Sequence, residues 1–142
     1  MLVARSIDHL VLCVRDVAAT IAFYERVLGM TAREERPGKW SLHFDANKLS
    51  LQDAVASPSI ARDTAPGSGN FCVLTDEPLD GILAHLEREG VAVVDGPGER
   101  DGATGTILSV YVHDPDGNLV EISTTPEPHA TEATGLRPTD AR

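Results

Sequence analysis

The sequence contains two copies of one pattern, and this internal duplication limits the folds that the chain can adopt. Residues 16–29 match residues 77–90 at a constant offset of 61, and residues 44–52 match residues 113–121 at an offset of 69. A repeated unit that cannot bury its apolar face alone packs on its copy. We therefore expect the functional site in the groove between the two copies.

Each copy predicts a βαβββ unit. In the first copy, an apolar strand over residues 7–14, buried on both faces, precedes a helix that Asp16 caps and Gly29 ends. The second copy has a strand at residues 71–74 and a helix that ends before Gly90. The remaining strands are predicted at residues 30–35, 40–44, 49–52, 91–94, 107–112 and 119–123. The glycine-rich segment 96–105 is predicted to be a mobile loop at the rim of the groove.

These patterns predict one α+β domain over residues 5–125, built from two tandem βαβββ modules. Module one covers about residues 5–54, a linker covers 55–68, and module two covers about 69–125. The composition of residues 126–142 predicts a disordered tail.

Charge and hydropathy exclude several classes of partner. The chain carries 22 acidic and 12 basic side chains, for a net charge of -10, so nucleic acid and anionic membrane surfaces are not expected as partners. No apolar run approaches the roughly 18 residues of a membrane helix, which favours a soluble, cytoplasmic protein. Cys13 and Cys72 lie in apolar strand patterns and are expected to be buried, reduced thiols.

The two offsets pair four polar residues: His9 with Asn70, and Gln52 with Glu121. Strand alternation places His9 on the face opposite the helix. Glu121 is a lone carboxylate between two apolar residues, and an ionised carboxylate is rarely buried without a partner such as a cation. Imidazole, amide oxygen and carboxylate suit a divalent metal, so His9, Gln52 and Glu121 are predicted ligands of Ni²⁺, Zn²⁺, Mn²⁺, Fe²⁺ or Co²⁺.

Other interpretations of these side chains stay open. A lone histidine on a strand is usually a hydrogen-bonded core residue, and a glutamate that faces water needs no metal. Arg100 is a candidate for holding an anionic substrate, although it also fits a solvated loop charge. Trp40 and Tyr111 are candidates for lining an apolar substrate pocket, and core packing explains both equally well.

Three motifs carry a resemblance to a known family. They are residues 8–12 around His9, Phe23-Tyr24 before Val27-Leu28-Gly29, and residues 114–121 ending in Glu121. Over about residues 5–125 the chain resembles the vicinal oxygen chelate superfamily, also described as glyoxalase/bleomycin resistance/dioxygenase-like. Residues 96–111 look like its glyoxalase-domain-containing protein 5 or virulence-protein branch.

The resemblance implies that the paired modules form an open, U-shaped barrel around a metal, frequently in a homodimer. The superfamily's metal positions fall on His9, Gln52, Asn70 and Glu121. The residue types at the first, second and fourth positions are similar to those of methylmalonyl-CoA epimerases. At the third position these families expect histidine, and this chain has Asn70. Asn70 is therefore retained only as a candidate substrate-binding residue.

The first functional hypothesis is a metal-dependent glyoxalase- or epimerase-like lyase or isomerase, acting on a small oxygen-rich metabolite through an enediolate-type intermediate. Glu121 would be a ligand and the catalytic base. The alternative is a non-catalytic protein that sequesters a drug or metabolite, as bleomycin-resistance members do. An extradiol-type dioxygenase is a third hypothesis, and Asn70 counts against it because its iron needs two histidines and one carboxylate.

Overall fold

The computed structural model describes residues 1–57 and 59–126, so the tail predicted at 126–142 lies outside the described residues from residue 127 onward. The first βαβββ module consists of β1 (His9–Val14), α1 (Val17–Leu28), β2 (Thr31–Arg36), β3 (Lys39–Phe44) and β4 (Asn47–Asp53). The second module consists of β5 (Asn70–Leu74), α2 (Leu79–Arg88), β6 (Asp95–Asp101), β7 (Thr106–His113) and β8 (Leu119–Thr124). The predicted α+β architecture of two tandem modules is confirmed.

The modules form two four-stranded sheets with the same topology. The strand order is β1-β4-β3-β2 in the first sheet and β5-β8-β7-β6 in the second. In each sheet the first strand pairs in parallel with the last strand of its module, and the other pairs are antiparallel. The two sheets are not closed into a barrel, and β1 and β5 are both edge strands.

Local sequence explains where α1 begins and ends. The Asp16 carboxylate accepts a hydrogen bond from the Ala19 backbone N–H at 3.0 Å, which satisfies one of the free donors at the helix start. Gly29 follows the helix with φ 64, a left-handed conformation that costs glycine little. Both features agree with the prediction.

One hydrophobic core joins the two modules. Its most buried members come from both sheets and both helices, and include Leu12, Leu42, Leu86, Val110 and Val120. The helices also contact each other, because the His85 Nε2 atom lies 2.8 Å from the Val27 carbonyl oxygen. The helix-facing sides of both sheets therefore share one interior, and their other faces lie away from it. None of the helices within the described residues is long and apolar enough to cross a membrane.

Three predictions about strands and thiols are wrong. Strand β1 is not buried on both faces, since Val11 is 52% exposed while Val14 is fully buried. No strand forms at residues 91–94, and β6, which pairs with β7 from Asp95 to Asp101, takes up the first part of the loop predicted at 96–105. Cys72 is exposed and Cys13 only partly buried, although both are free thiols. Strand pairing depends on backbone hydrogen bonds. Strand β7 can therefore pair with a glycine-rich segment, although the residue types of that segment predict a loop.

Candidate functional site

The predicted site residues lie mainly on the faces of the sheets that point away from the helices, which we call the open faces. On the first open face, His9, Val11 and Cys13 of β1 lie beside β4. On the second open face, Cys72 of β5 and Tyr111 of β7 are the strand neighbours of Glu121. The two-residue alternation of side chains along a strand therefore predicted correctly that His9 and Glu121 point away from the helices.

His9 is held by its neighbour at the start of β1. Its Nδ1 atom lies 2.8 Å from an Asp8 carboxylate oxygen, and its side chain is 43% exposed. If Nδ1 carries the proton, it donates to Asp8 and leaves Nε2 as a free acceptor. A carboxylate on the other ring nitrogen is the usual arrangement of a metal-binding histidine, because it fixes the tautomer and the ring orientation.

The strand register changes the counterpart of Glu121. Between the two copies, Val11 of β1 corresponds to Cys72 of β5 at the offset of 61. Within its sheet, Val11 lies opposite Ser50 of β4, and Cys72 lies opposite Glu121 of β8. Ser50 is thus the structural counterpart of Glu121, and the predicted pairing with Gln52 is wrong. Gln52 lies opposite Cys13, four residues from the position opposite His9. This separation is about 13 Å along the strands.

Glu121 is part of a small hydrogen-bonded cluster. Its Oε2 atom accepts a hydrogen bond from the Ser109 hydroxyl at 2.6 Å and a longer one from Ser123 at 3.4 Å. Both serines are fully buried, and their hydroxyl oxygens are 2.7 Å apart. No Lys, Arg or His side chain within the described residues forms an ion pair with Glu121. The carboxylate is thus oriented by hydroxyl groups, and no basic side chain in the described part of the chain pairs with it.

Tyr111 lies next to this cluster and contacts Arg100. The Arg100 Nε atom donates to the Tyr111 hydroxyl at 3.2 Å, and the guanidinium carbon lies 5.3 Å from the ring centroid. Arg100 lies on strand β6, where pairing with β7 holds its backbone, rather than on a loop. Tyr111 therefore lies between the two, because it contacts Arg100 and is the strand neighbour of Glu121 on β8.

Trp40 and Asn70 are placed differently. Trp40 packs against the core on the helix side of its sheet and lines a cavity of about 420 Å³ there with Val17 and Ile21. Asn70 is exposed at the start of β5, where its strand partner is Leu119. Trp40 is thus on the other side of its sheet from Gln52, while Asn70 shares the second open face with Glu121.

Strand alternation placed Cys72 on this face, but the sequence patterns did not identify Ser109 and Ser123 as part of it. The Cys72 Sγ atom lies 3.2 Å from the Ser123 hydroxyl, so a hydrogen-bonded chain runs from the thiol through both serines to Glu121. Partial burial raises the pKa of the Cys72 thiol, which keeps it protonated near neutral pH. The two-residue spacing of Ser123 and Glu121 was a signal that both side chains share one face.

The described part of one chain does not gather a conventional metal cluster. In residues 1–57 and 59–126, no three His, Cys, Asp or Glu side chains lie close enough together to hold one ion. His9 and Glu121 belong to different sheets, each on the face turned away from the shared core. Each open face thus presents one oriented polar group: the His9 imidazole on the first, and the Glu121 carboxylate next to Tyr111 on the second.

Comparison with known proteins gives consistent matches along the chain. A model of the Glyoxalase/Bleomycin resistance protein/Dioxygenase superfamily matches residues 6–122. A virulence protein of Salmonella typhimurium is 45% identical over 119 residues, which is 82% of each chain. Its crystal structure superimposes with a TM-score of 0.83 at 42% identity and covers 89% of this chain and all of that one.

Two further relatives have enzyme names. A metallothiol transferase of Lysinibacillus sphaericus is 33% identical over 124 residues, covering 84% of this chain and 82% of that protein. The crystal structure of lactoylglutathione lyase from Agrobacterium tumefaciens matches with a TM-score of 0.66 at 28% identity, over 85% of this chain and 94% of that one.

Proposed function

The chain belongs to the Glyoxalase/Bleomycin resistance protein/Dioxygenase superfamily, and from this we propose that it is a metal-dependent lyase or isomerase of the glyoxalase or epimerase type. Its substrate would be a small oxygen-rich metabolite. One observation carries the proposal: the Glu121 carboxylate is oriented by Ser109 at 2.6 Å, has Tyr111 as its strand neighbour, and forms no ion pair with a basic side chain of the described residues. Such a carboxylate suits a ligand or a general base.

The side chains on the two open faces fit a divalent ion chemically. His9 has the carboxylate partner that metal-binding histidines commonly use, and Glu121 has hydroxyl partners that fix its orientation. Gln52 remains a proposed ligand, although its distance along the strands from His9 makes it the weakest of the three. An ion of the Ni²⁺, Zn²⁺, Mn²⁺, Fe²⁺ or Co²⁺ class would act as a Lewis acid on a substrate oxygen.

The residues of the second open face would handle the substrate. Arg100 can bind a carboxylate or a polarised carbonyl oxygen, and its contact with Tyr111 limits the orientations of the guanidinium group. Glu121 would remove a proton next to a carbonyl group and return it. The Ser109 hydroxyl occupies one carboxylate oxygen, so the other oxygen is the one that would accept the proton.

We further propose that two copies of the chain complete the site as a homodimer. The edge strands β1 and β5 each have a free side, and the open faces expose large apolar side chains, with Val11 52% and Leu74 69% exposed. Unpaired strand edges next to exposed apolar surface favour association with another chain. The first open face of one copy would then face the second open face of the other, and bring His9 near Glu121.

The test is the metal content of the untagged protein after exposure to Ni²⁺, Zn²⁺, Mn²⁺ or Fe²⁺. We expect about one ion per site in the unmodified chain and a loss of at least tenfold in affinity in Glu121→Gln and in His9→Ala, because each removes one ligand. Glu99→Gln, an exposed carboxylate on β6, is the matched control and should bind normally. Equal metal binding in all four proteins, or none in the unmodified chain, would contradict the proposal.

A second candidate, a binding protein that sequesters a drug or metabolite on the same faces, is favoured by Asn70. This neutral amide is exposed at the position where the related enzymes have histidine, and it can hydrogen-bond a ligand as donor and acceptor. Such a protein would bind its ligand equally well with and without metal, and Asn70→Ala would weaken that binding. Calorimetry of candidate ligands in chelator therefore separates the two functions.

A further inference from the structure

The Arg100 side chain folds back along its own strand, over a glycine. Gly98 and Arg100 are two residues apart on β6, so they share one face of the strand. Both are partly buried, whereas Glu99 between them is exposed. Gly98 lies opposite Ser109 of β7, the serine that donates a hydrogen bond to Glu121. Gly98 and Arg100 therefore belong to the second open face.

The guanidinium group occupies the space that a side chain at position 98 would need. A Cβ atom on Gly98 would lie 2.7 Å from Nη1, 3.6 Å from Cζ and 3.8 Å from Nη2 of Arg100. The shortest of these distances is an overlap, because non-bonded heavy atoms are most stable about 3.5–4.0 Å apart. Gly98 does not have a positive φ, so its backbone conformation does not require glycine. The close approach of Arg100 does, which is a known use of glycine inside a strand.

Three neighbours surround the guanidinium group at this place. Its Nε atom donates to the Tyr111 hydroxyl at 3.2 Å, and Nη1 donates to the Glu99 carbonyl oxygen at 2.9 Å. The Asp95 carboxylate is 3.7 Å from Nη2 and its side chain is 70% exposed, and such a surface ion pair contributes little. Within the described residues, the two hydrogen bonds use one N–H of Nε and one of Nη1. Both Nη atoms thus keep N–H groups for a ligand.

We propose that Gly98 is a positioning residue for Arg100, and that the site they form binds the carboxylate group of a small substrate. The edge that carries the two Nη atoms matches the two oxygens of a carboxylate, which accept parallel hydrogen bonds. A neutral carbonyl group has one oxygen and no charge, so it binds this edge less tightly. The inference rests on the proposed function for one point, the location of the substrate on the second open face.

The strand register limits the size of this substrate. The Nη1 atom of Arg100 lies over Gly98, and the Glu121 carboxylate reaches the hydroxyl of Ser109, the strand partner of Gly98. Neighbouring strands are about 4.8 Å apart. A carboxylate bound to Arg100 is therefore only a few bonds from a carbon atom next to Glu121. This spacing suits a short acid with a carbonyl or hydroxyl group beside its carboxylate, and pyruvate is the simplest probe of that class.

The test follows the Arg100 Nε–H signal of the full chain labelled with ¹⁵N-arginine. The protein is dialysed free of metal into a buffer without carboxylate or phosphate, and the signal is assigned by its loss in Arg100→Lys. We expect a saturable shift with pyruvate, and pyruvate binding about tenfold tighter than pyruvamide, the neutral amide of the same shape. Arg100→Lys should lose this preference, because an ammonium group cannot bind a carboxylate with a fixed pair of donors.

Two substitutions at Gly98 test the positioning role. Gly98→Ala should shift the Arg100 signal and weaken pyruvate binding about fivefold, because the added carbon displaces the guanidinium group. Gly98→Val should weaken it further, and the fold should persist because valine favours strands. Gly81→Ala on α2 is the matched control. Its added Cβ also meets the end of a flexible side chain, that of Glu77, and pyruvate binding should not change.

The outcomes separate this inference from the proposed metal site. Absence of pyruvate binding, equal binding of pyruvate and pyruvamide, or an unchanged Arg100 signal and affinity in Gly98→Val would overturn the inference. The metal content of the unmodified chain is measured on the same preparation. Protein that binds no metal but keeps a pyruvate site dependent on Gly98 would count against the metal proposal alone.

Discussion

At the scale of single residues, Asp114 is a buried polar link between the two modules. Its carboxylate accepts hydrogen bonds from the backbone N–H groups of Asp116 and Asn118, from the Asn118 side chain, and from the Tyr24 hydroxyl of the other module. Burial, and then the negative charge of Asp114, raise the pKa of the Tyr24 phenol. Tyr24 therefore stays protonated and donates throughout the physiological range.

Removal of this single hydroxyl tests the link between the modules. Tyr24→Phe keeps the ring but leaves Asp114 with one donor fewer in a buried site, so the free energy of unfolding should fall by about 1.5 kcal/mol. Urea denaturation measures the change. Tyr111→Phe removes a hydroxyl from a less buried tyrosine and should cost less than about 0.5 kcal/mol. Equal effects of both substitutions would show that the contact to Asp114 contributes little.

At the scale of elements, one carboxylate connects three strands of the first sheet. Glu35 on β2 lies 2.6 Å from the Lys48 ammonium of β4 and 3.1 Å from the His43 ring of β3. Its hydrogen bond with Lys48 is the largest cause that lowers the pKa of Glu35 to about 2. Strand β2 is largely exposed, so this cluster helps to attach it to the sheet.

The lowered pKa predicts a definite pH dependence. A carboxyl group whose pKa is lower in the folded state stabilises the fold above its unfolded pKa, here 4.5, and this contribution is lost as the pH falls towards about 2. Glu35→Gln should therefore be less stable than the unmodified chain at pH 7 and equally stable near pH 2. Paired urea titrations measure the difference, and Glu87→Gln is the exposed control. A difference that does not change with pH would contradict the assignment.

At the scale of the whole molecule, the two modules use their helix sides for one shared core and leave their other faces open. Buried residues of both sheets and both helices form that core, while Val11 and Leu74 remain exposed on the opposite faces. The residues proposed for chemistry lie on these open faces. Assembly of two copies and completion of the site are therefore expected to be one event.

Association should depend on the first open face. Val11→Asp places a charge among exposed apolar groups of β1, and should convert a species of twice the chain mass into single chains in light scattering coupled to size exclusion. Ala22→Asp adds the same charge on the exposed side of α1 and should leave the mass unchanged. A single-chain mass for the unmodified protein, or a Val11→Asp variant that still forms the larger species, would refute the dimer.

Sequence periodicity alone predicted the module pattern, the caps of α1 and the faces of the strands that carry His9 and Glu121. These features depend on residues close together in the chain: a side chain that caps a helix, a glycine that tolerates positive φ, and two-residue alternation. The duplication also predicted that the copies would pack together, because each has an apolar face to bury.

Only the tertiary structure decided the register of β4, the position of β6 and the placement of His9 and Glu121 on two different sheets. Two residues join β3 to β4, whereas five residues, 114–118, join β7 to β8. Because the turns differ in length, the offset of 69 that aligns their sequences does not align strands β4 and β8. It matched Glu121 with Gln52, whereas the strand register matches Glu121 with Ser50. Strand β6 exists because β7 supplies backbone partners to a glycine-rich segment. Backbone hydrogen bonds between strands that are distant in the chain depend little on which side chains are present. Turn length and packing therefore determine strand register and strand partners, which local sequence patterns do not predict.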